Sequence, residues 1–185
     1  MPIPTWNTGQ VLSASDINEW FVPRFAYKTS DTSKTNDATL AADPHLVVTV
    51  DANAVYELGG LVIYSADSAS SFGDIQIGWS GPSGMTGTWA GLGPGTTVIS
   101  DPSGTLTADV ASPHGYMVRT EGTDITATRV SGGITVSDIL ATRIRGLIHI
   151  SATSGSFALN WSQAAASSSA TTVYADSYIS LRRVA

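Results

Sequence analysis

Cysteine is absent, which excludes thiolate zinc sites, iron–sulfur clusters, thiol nucleophiles and disulfide staples and leaves packing or assembly to supply stability. Charge is sparse. Only 13% of the 185 residues are charged, with Lys and Arg numbering 9 against 15 Asp and Glu, for a formal net charge of -6. So few cations give no basic footprint for gripping phosphates through counterion release, and nucleic acid is not an expected partner. Long apolar runs are missing too. The most apolar window, residues 54–64, contains Glu57 and two glycines and falls well short of the roughly 20 residues that cross a bilayer, so no membrane partner is expected. The opening Met1-Pro2-Ile3-Pro4-Thr5-Trp6 has neither a basic region nor an unbroken apolar stretch, and the first cation is Arg24. No secretory signal is read there, and release into a cytoplasm is the expectation.

What is present is 24 Ser, 22 Thr and 42% apolar residues, too apolar for disorder and too polar for a membrane protein. A single folded, β-leaning domain follows from that balance. The chain divides between residues 25 and 36. Before the division, residues 6–23 carry the only convincing helical punctuation: Ser13 or Ser15 as N-cap, Asp16 in the first turn where the helix dipole favours an anion, and Pro23 as the stop. A helix over 13–22 has about two to three turns, too few for stability alone in water. Leu12, Ile17, Trp20 and Phe21 give it a large apolar payload. It either packs on its own domain or docks on another protein; Pro2, Pro4, Trp6 and Trp20 near the start favour docking. Residues 1–30 are therefore read as an attachment arm with a short helix, and 31–185 as the body.

Beyond residue 24 the pattern changes to alternation, as in Leu46, Val48 and Val50 or Ile75, Ile77 and Trp79. Further strands are predicted over 106–110, 116–119, 125–130, 143–151, 157–161 and 173–184, each bounded by Gly, Pro, Asp or Ser. Gly59-Gly60 predicts a bulge or bend in the strand over 55–64. Asp43-Pro44 and Asp101-Pro102 read as turns, and residues 164–170, rich in Ala and Ser, as a loop. Without helices between the strands a parallel βαβ sheet is excluded, and an all-β, antiparallel sandwich remains.

Motifs of catalysis are weak. His45, His114 and His149 lack metal-binding spacing, Gly81-Pro82-Ser83-Gly84 misses the nucleophile elbow, and no calcium loop is present. The scattered acids could form a glycosidase pair only through folding. No catalytic residue, metal or cofactor is assigned. Trp79 and Trp161 alternate with apolar residues and are expected in the core. Trp89, between small residues, is the tryptophan expected at the surface, where with Tyr116 it could recognise a surface glycan; a carbohydrate-binding module is thus the alternative from another functional class.

The segment Trp6-x-x-Gly9-Gln10-Val11-Leu12-Ser13-Ala14-Ser15-Asp16-Ile17-Asn18 resembles an N-terminal signature of phage tail and baseplate-associated proteins. Tyr27-Lys28-Thr29-Ser30-Asp31-Thr32, Leu40-Ala41-Ala42-Asp43-Pro44-His45-Leu46 and Ala52-Asn53-Ala54-Val55-Tyr56 look like a family of small virion proteins of actinobacterial phages. The ending from Trp161-Ser162-Gln163 through Ser177-Tyr178-Ile179-Ser180-Leu181-Arg182-Arg183-Val184-Ala185 looks like the same family. The resemblance implies a jelly-roll-like β-sandwich on a virion, commonly a homotrimer, bound to other virion proteins of tail or capsid. It implies anchoring through Trp6, Val11, Leu12, Ile17, Trp20 and Phe21. A minor tail or fibre-like protein is the first reading, and a capsid decoration or head-fibre protein the alternative.

Overall fold

Alternating apolar positions need a second apolar layer to cover them, and the chain supplies it by folding its strands into two facing sheets. The computed structural model describes residues 6–67, 73–100, 114–119 and 122–185, with backbone alone for 96–100 and 114–119. In chain order the elements are α1 (Ala14–Trp20), β1 (Arg24–Tyr27), β2 (Thr32–Lys34), β3 (Ala41–Val50), β4 (Val55–Ser65), β5 (Ile75–Ser80), β6 (Thr86–Ser100), β7 (His114–Arg119), β8 (Thr123–Asp124), β9 (Arg129–Ser131), β10 (Leu140–His149), β11 (Gly155–Gln163), β12 (Thr171–Val173) and β13 (Tyr178–Arg183). The larger sheet runs β1-β13-β4-β10-β6-β7, with β2, β8 and β12 pairing off that path, and the smaller sheet runs β3-β11-β5-β9.

The pairing is that of a long hairpin rolled up. From the outside inward, β1 pairs with β13, β3 with β11, β4 with β10 and β5 with β9, all antiparallel. Successive pairs fall alternately in the larger and the smaller sheet, giving β1-β13-β4-β10 over β3-β11-β5-β9. That is a jelly-roll order, and the antiparallel β-sandwich read from the sequence is the fold. Strands β6 to β8 are inserted between β5 and β9, and β6 widens the larger sheet beyond β10. The inward positions Leu46, Tyr56, Ile77, Trp89, Ile144 and Phe157 share one continuous core.

Several local expectations are corrected. Gly59-Gly60 makes no bulge: β4 pairs with β10 in unbroken register from Val55 to Ser65's neighbour Tyr64. The glycines serve close approach instead, since a Cβ on Gly60 would lie 2.8 Å from the Tyr178 carbonyl oxygen. Asp43-Pro44 lies inside β3, with the register against β11 shifting opposite it; Pro44 cannot donate to a ladder, and the irregularity absorbs it. Residues 124–127 turn, held by the Asp124 carboxylate on the Thr126 N–H at 2.8 Å, so the strand predicted over 125–130 shortens to β9. The stretch 173–184 divides at a turn where Asp176 has φ of 66°. Residues 164–170 form the expected loop, organised by Gln163, whose side-chain oxygen accepts from Ser167 N–H at 3.1 Å and whose amide donates to the Ser169 carbonyl at 2.7 Å. The sheet begins at Arg24, so residues 24–27, placed in the arm by the sequence reading, belong to the sandwich. The strand predicted over 106–110 and the Asp101-Pro102 turn lie outside the described residues.

One ion pair sits fully inside the sandwich. Lys28 Nζ donates to Asp43 Oδ2 at 2.8 Å and to Thr32 Oγ1 at 2.7 Å, and neither charged side chain is exposed. Trp161 Nε1 donates to the same carboxylate oxygen at 3.1 Å, and the His45 N–H donates to Oδ1 at 2.9 Å. Burial alone would push the Asp43 carboxyl up; the Lys28 ammonium and the other donors outweigh it and hold the group below the ordinary carboxylate value. Asp74 is the opposite case. Burial raises its carboxyl, against a single opposing hydrogen bond from the Gly133 N–H.

Breaking a buried pair by removing one partner strands the other charge. Lys28→Met is expected to cost about 3–5 kcal/mol in urea denaturation, and an effect under about 1 kcal/mol would contradict this role. Because the folded-state pKa of Asp43 is depressed, its contribution is complete above the unfolded value and is lost as pH falls through the folded one. Asp43→Asn should therefore be less stable than wild type at pH 7, and the gap should narrow on acidification. The raised carboxyl of Asp74 has the reverse sign: its contribution is present below the unfolded value and is lost as pH rises through the folded one. Asp74→Asn keeps the acceptor for Gly133 and removes a desolvated charge, so at pH 7 it should melt at the wild-type temperature or above.

Candidate functional site

The arm is built from a short, well-capped helix. Ser13 is the N-cap, with its Oγ accepting from the Asp16 N–H at 3.2 Å while the Asp16 carboxylate accepts from the Ser13 N–H at 3.0 Å. This reciprocal capping box satisfies donors that the first turn leaves open, and the hydrogen bonds from the Ser13 side chain and backbone hold the Asp16 carboxyl below its ordinary value. Phe21 is the C-cap, two residues before Pro23. The choice between Ser13 and Ser15 is thereby settled for Ser13, and Ser15 instead hydrogen-bonds its Oγ at 2.7 Å.

The helix buries none of its residues. Val11 is 87% exposed and Phe21 57%, with Leu12, Ile17 and Val22 also exposed. Its footing on the sandwich is narrow and polar. The Arg183 guanidinium at the end of β13 lies 4.7 Å from the centre of the Trp20 ring and pairs with Glu19; the same guanidinium stands 3.7 Å from Asp51. Trp20 thus has an intramolecular role as a stacking platform. Of the six residues assigned to docking, Val11, Leu12, Ile17 and Phe21 are exposed, whereas Trp6 and Trp20 are half-buried.

The sheet carries exposed aromatic side chains as well, which the sequence alone did not single out. Phe25 and Tyr27 project from β1 at 57% and 55% exposure, and the Phe25 ring stacks on Tyr178 with centroids 5.2 Å apart. The signal was the alternation of Arg24, Phe25, Ala26 and Tyr27, whose two aromatics share one face.

Trp89 requires correction as a surface-recognition residue. It is 1% exposed, its Nε1 donates to the Ala127 carbonyl at 3.2 Å, and its ring meets Trp79 edge-on at 5.6 Å. The small neighbours that suggested exposure do not decide the matter, because its cross-strand partner is Gly146, where a Cβ would come within 3.0 Å of the Trp89 Cβ. The glycine makes room for an inward indole. Trp79 and Trp161 are buried as expected. Tyr116 lies on β7, and its side chain is outside the description. His45 Nδ1 hydrogen-bonds Thr29 Oγ1 at 2.9 Å, and among the described residues no group of three or more His, Cys, Asp or Glu is placed to hold a metal. Nor is any described helix long and apolar enough to cross a membrane.

No protein-family model and no curated protein matches the chain. Solved structures that align with it include that of the Gt strain of infectious bursal disease virus, 17% identical with a TM-score of 0.19 over 98% of this chain and 45% of that one. The Gx strain of the same virus gives 14% identity and a TM-score of 0.21, covering 98% of this chain and 43% of that one. The VP2 subviral particle gives 15% and 0.20, covering 100% and 46%. The chain spans less than half the length of each of these, and at such TM-scores the likeness carries no argument, so the fold assignment stands on the strand pairing itself.

Proposed function

We propose that the protein is a structural component of a phage virion, tail-associated, that works by binding rather than by chemistry. Its arm, residues 6–23, attaches to a larger virion protein, and its sandwich faces outward for assembly with further copies, as a homotrimer, or for contact with the host surface. The observation that carries this reading is the set of exposed apolar side chains along the arm, Val11 and Leu12 before the helix, Ile17 within it and Phe21 and Val22 after it, around a helix with no buried residue. Each such side chain contributes about 1.5–3 kcal/mol when fully buried, and a monomer in water leaves that contribution unused. A seven-residue helix is also too short to persist without support, so a partner that covers the apolar side stabilises the helix as it binds. The tail placement rests on the resemblance of residues 6–18 to the tail and baseplate signature.

The test is the double variant Ile17→Asp, Phe21→Asp, produced in infected cells alongside wild type. It should melt within about 2 °C of wild type, because both side chains are exposed and the change is remote from the core. It should be missing from purified particles by mass spectrometry. Normal incorporation of a folded variant sinks the docking role of the arm. A cryo-electron microscopy map of wild-type particles supplies the address: density on the capsid shell would replace the tail reading with a decoration or head-fibre protein.

A further inference from the structure

The outward face of the larger sheet carries a second surface, separate from the arm. Strand register aligns Leu61, Arg143 and Leu92 in one row and Gly59, Arg145 and Ala90 in the next, with Arg182 opposite Glu57 beyond them. A hollow of about 300 Å³ opens between β10 and the inserted strand β6, floored by Ala90, Gly91 and Leu92 and flanked by Arg143 and Arg145. A smaller one, about 170 Å³, lies on the other side of Arg145, against Glu57, Ser180 and Arg182.

In a chain of net charge -6 this face is locally cationic, and Glu57, its carboxylate among the described residues, is already engaged. Arg182 holds Glu57 Oε2 through Nε at 2.9 Å and Nη2 at 2.6 Å. Arg145 stands 3.9 Å from the other oxygen, with its side chain 65% exposed. Arg143 has no carboxylate within ion-pair distance among the described residues. Two guanidinium forks thus flank an aliphatic floor. Arginine rather than lysine is enriched at protein–protein contacts, and a planar fork is built to take a carboxylate through two hydrogen bonds. A saccharide fits the larger hollow poorly, because among the described residues its lining offers guanidinium donors but no acceptor side chain for hydroxyl groups. Strand addition is closed off at this place, since the backbones of β10 and β6 are paired with each other.

We propose that the hollow between β10 and β6 binds an acidic, apolar segment of a partner protein, with an apolar side chain on the Ala90–Leu92 floor and flanking carboxylates on Arg143 and Arg145. The probe is a capped peptide of alternating Glu and Leu, titrated into the full chain by isothermal calorimetry at two salt concentrations. Saturable binding should weaken with salt, as exposed charge pairs do, and should fall at least about 10-fold in Arg143→Glu, Arg145→Glu. Glu57→Gln, which removes the competing carboxylate, should bind more tightly than wild type. Thermal melting of each variant separates loss of the site from loss of the fold, and the milder pair Arg143→Ala, Arg145→Ala repeats the measurement if the reversal unfolds. Absence of saturable binding, equal binding by folded reversed variants, or tighter binding of a galacturonate oligomer than of the peptide would overturn the proposal.

Discussion

The Lys28–Asp43 pair is the constraint on which the arrangement of the two sheets depends. Lys28 directly follows β1 of the larger sheet, and its backbone is tied to the turn before β13 by its N–H to the Ser177 carbonyl at 2.8 Å and its carbonyl to the Asp176 N–H at 2.9 Å. Asp43 belongs to β3 of the smaller sheet, and Trp161, which shares its carboxylate, belongs to β11. A charge taken out of water carries a large desolvation cost, so the pair is tolerable only with its hydrogen bonds complete. Apolar burial is not directional, but this pair keeps its hydrogen bonds only while Lys28, just after β1, faces Asp43 of β3. The sandwich is closed at that side by an interaction whose geometry is specific rather than merely attractive.

A second, wetter junction stands nearby. Arg24 at the start of β1 pairs with Asp51 just after β3, and Tyr56 donates to the same carboxylate at 3.0 Å. The Arg183 that carries the arm is 3.7 Å from it. Burial pushes the Asp51 carboxyl up, and the Arg24 and Tyr56 hydrogen bonds more than offset this, leaving it below its ordinary value. The arm is therefore joined to the sandwich through charged and aromatic groups at its exit, while its aliphatic side chains stay uncommitted. That division suits a segment that keeps its direction yet has its apolar surface available.

Much of the fold was legible because alternation is a local property: the inward sets of β3, β5 and β11 could be read directly from residues 46–50, 75–79 and 157–161. The helix was legible for the same reason, since a capping box lies within one turn. Pairing partners are not local, and the misreadings share that cause. Trp89 appeared exposed among small neighbours, but Gly146 on β10, distant in sequence, decides its burial. Gly59-Gly60 signalled a bend, but the demand came from β13, whose backbone passes too close for a Cβ. Asp43-Pro44 signalled a turn because its strongest cue is local, while Lys28 and Trp161, which hold Asp43 inside a strand, are elsewhere in the chain. The arginine face was invisible for the same reason, since Arg143, Arg145 and Arg182 become neighbours of Glu57 only through strand register.

Pro44 and the irregular pairing around it have a consequence for how copies of the chain can meet. Strand β3 is the rim of the smaller sheet, and an unbroken rim is a template onto which another molecule can stack by main-chain hydrogen bonds, extending without limit into fibres. A residue lacking an amide hydrogen, set in a kinked stretch, spoils that template. At the opposite rim, β9 is only three residues long, too little for a stable graft. Growth by ribbon formation is thereby disfavoured on both sides of this sheet, and association through the smaller sheet is left to its side-chain surface, where stoichiometry is finite and responds to ionic strength.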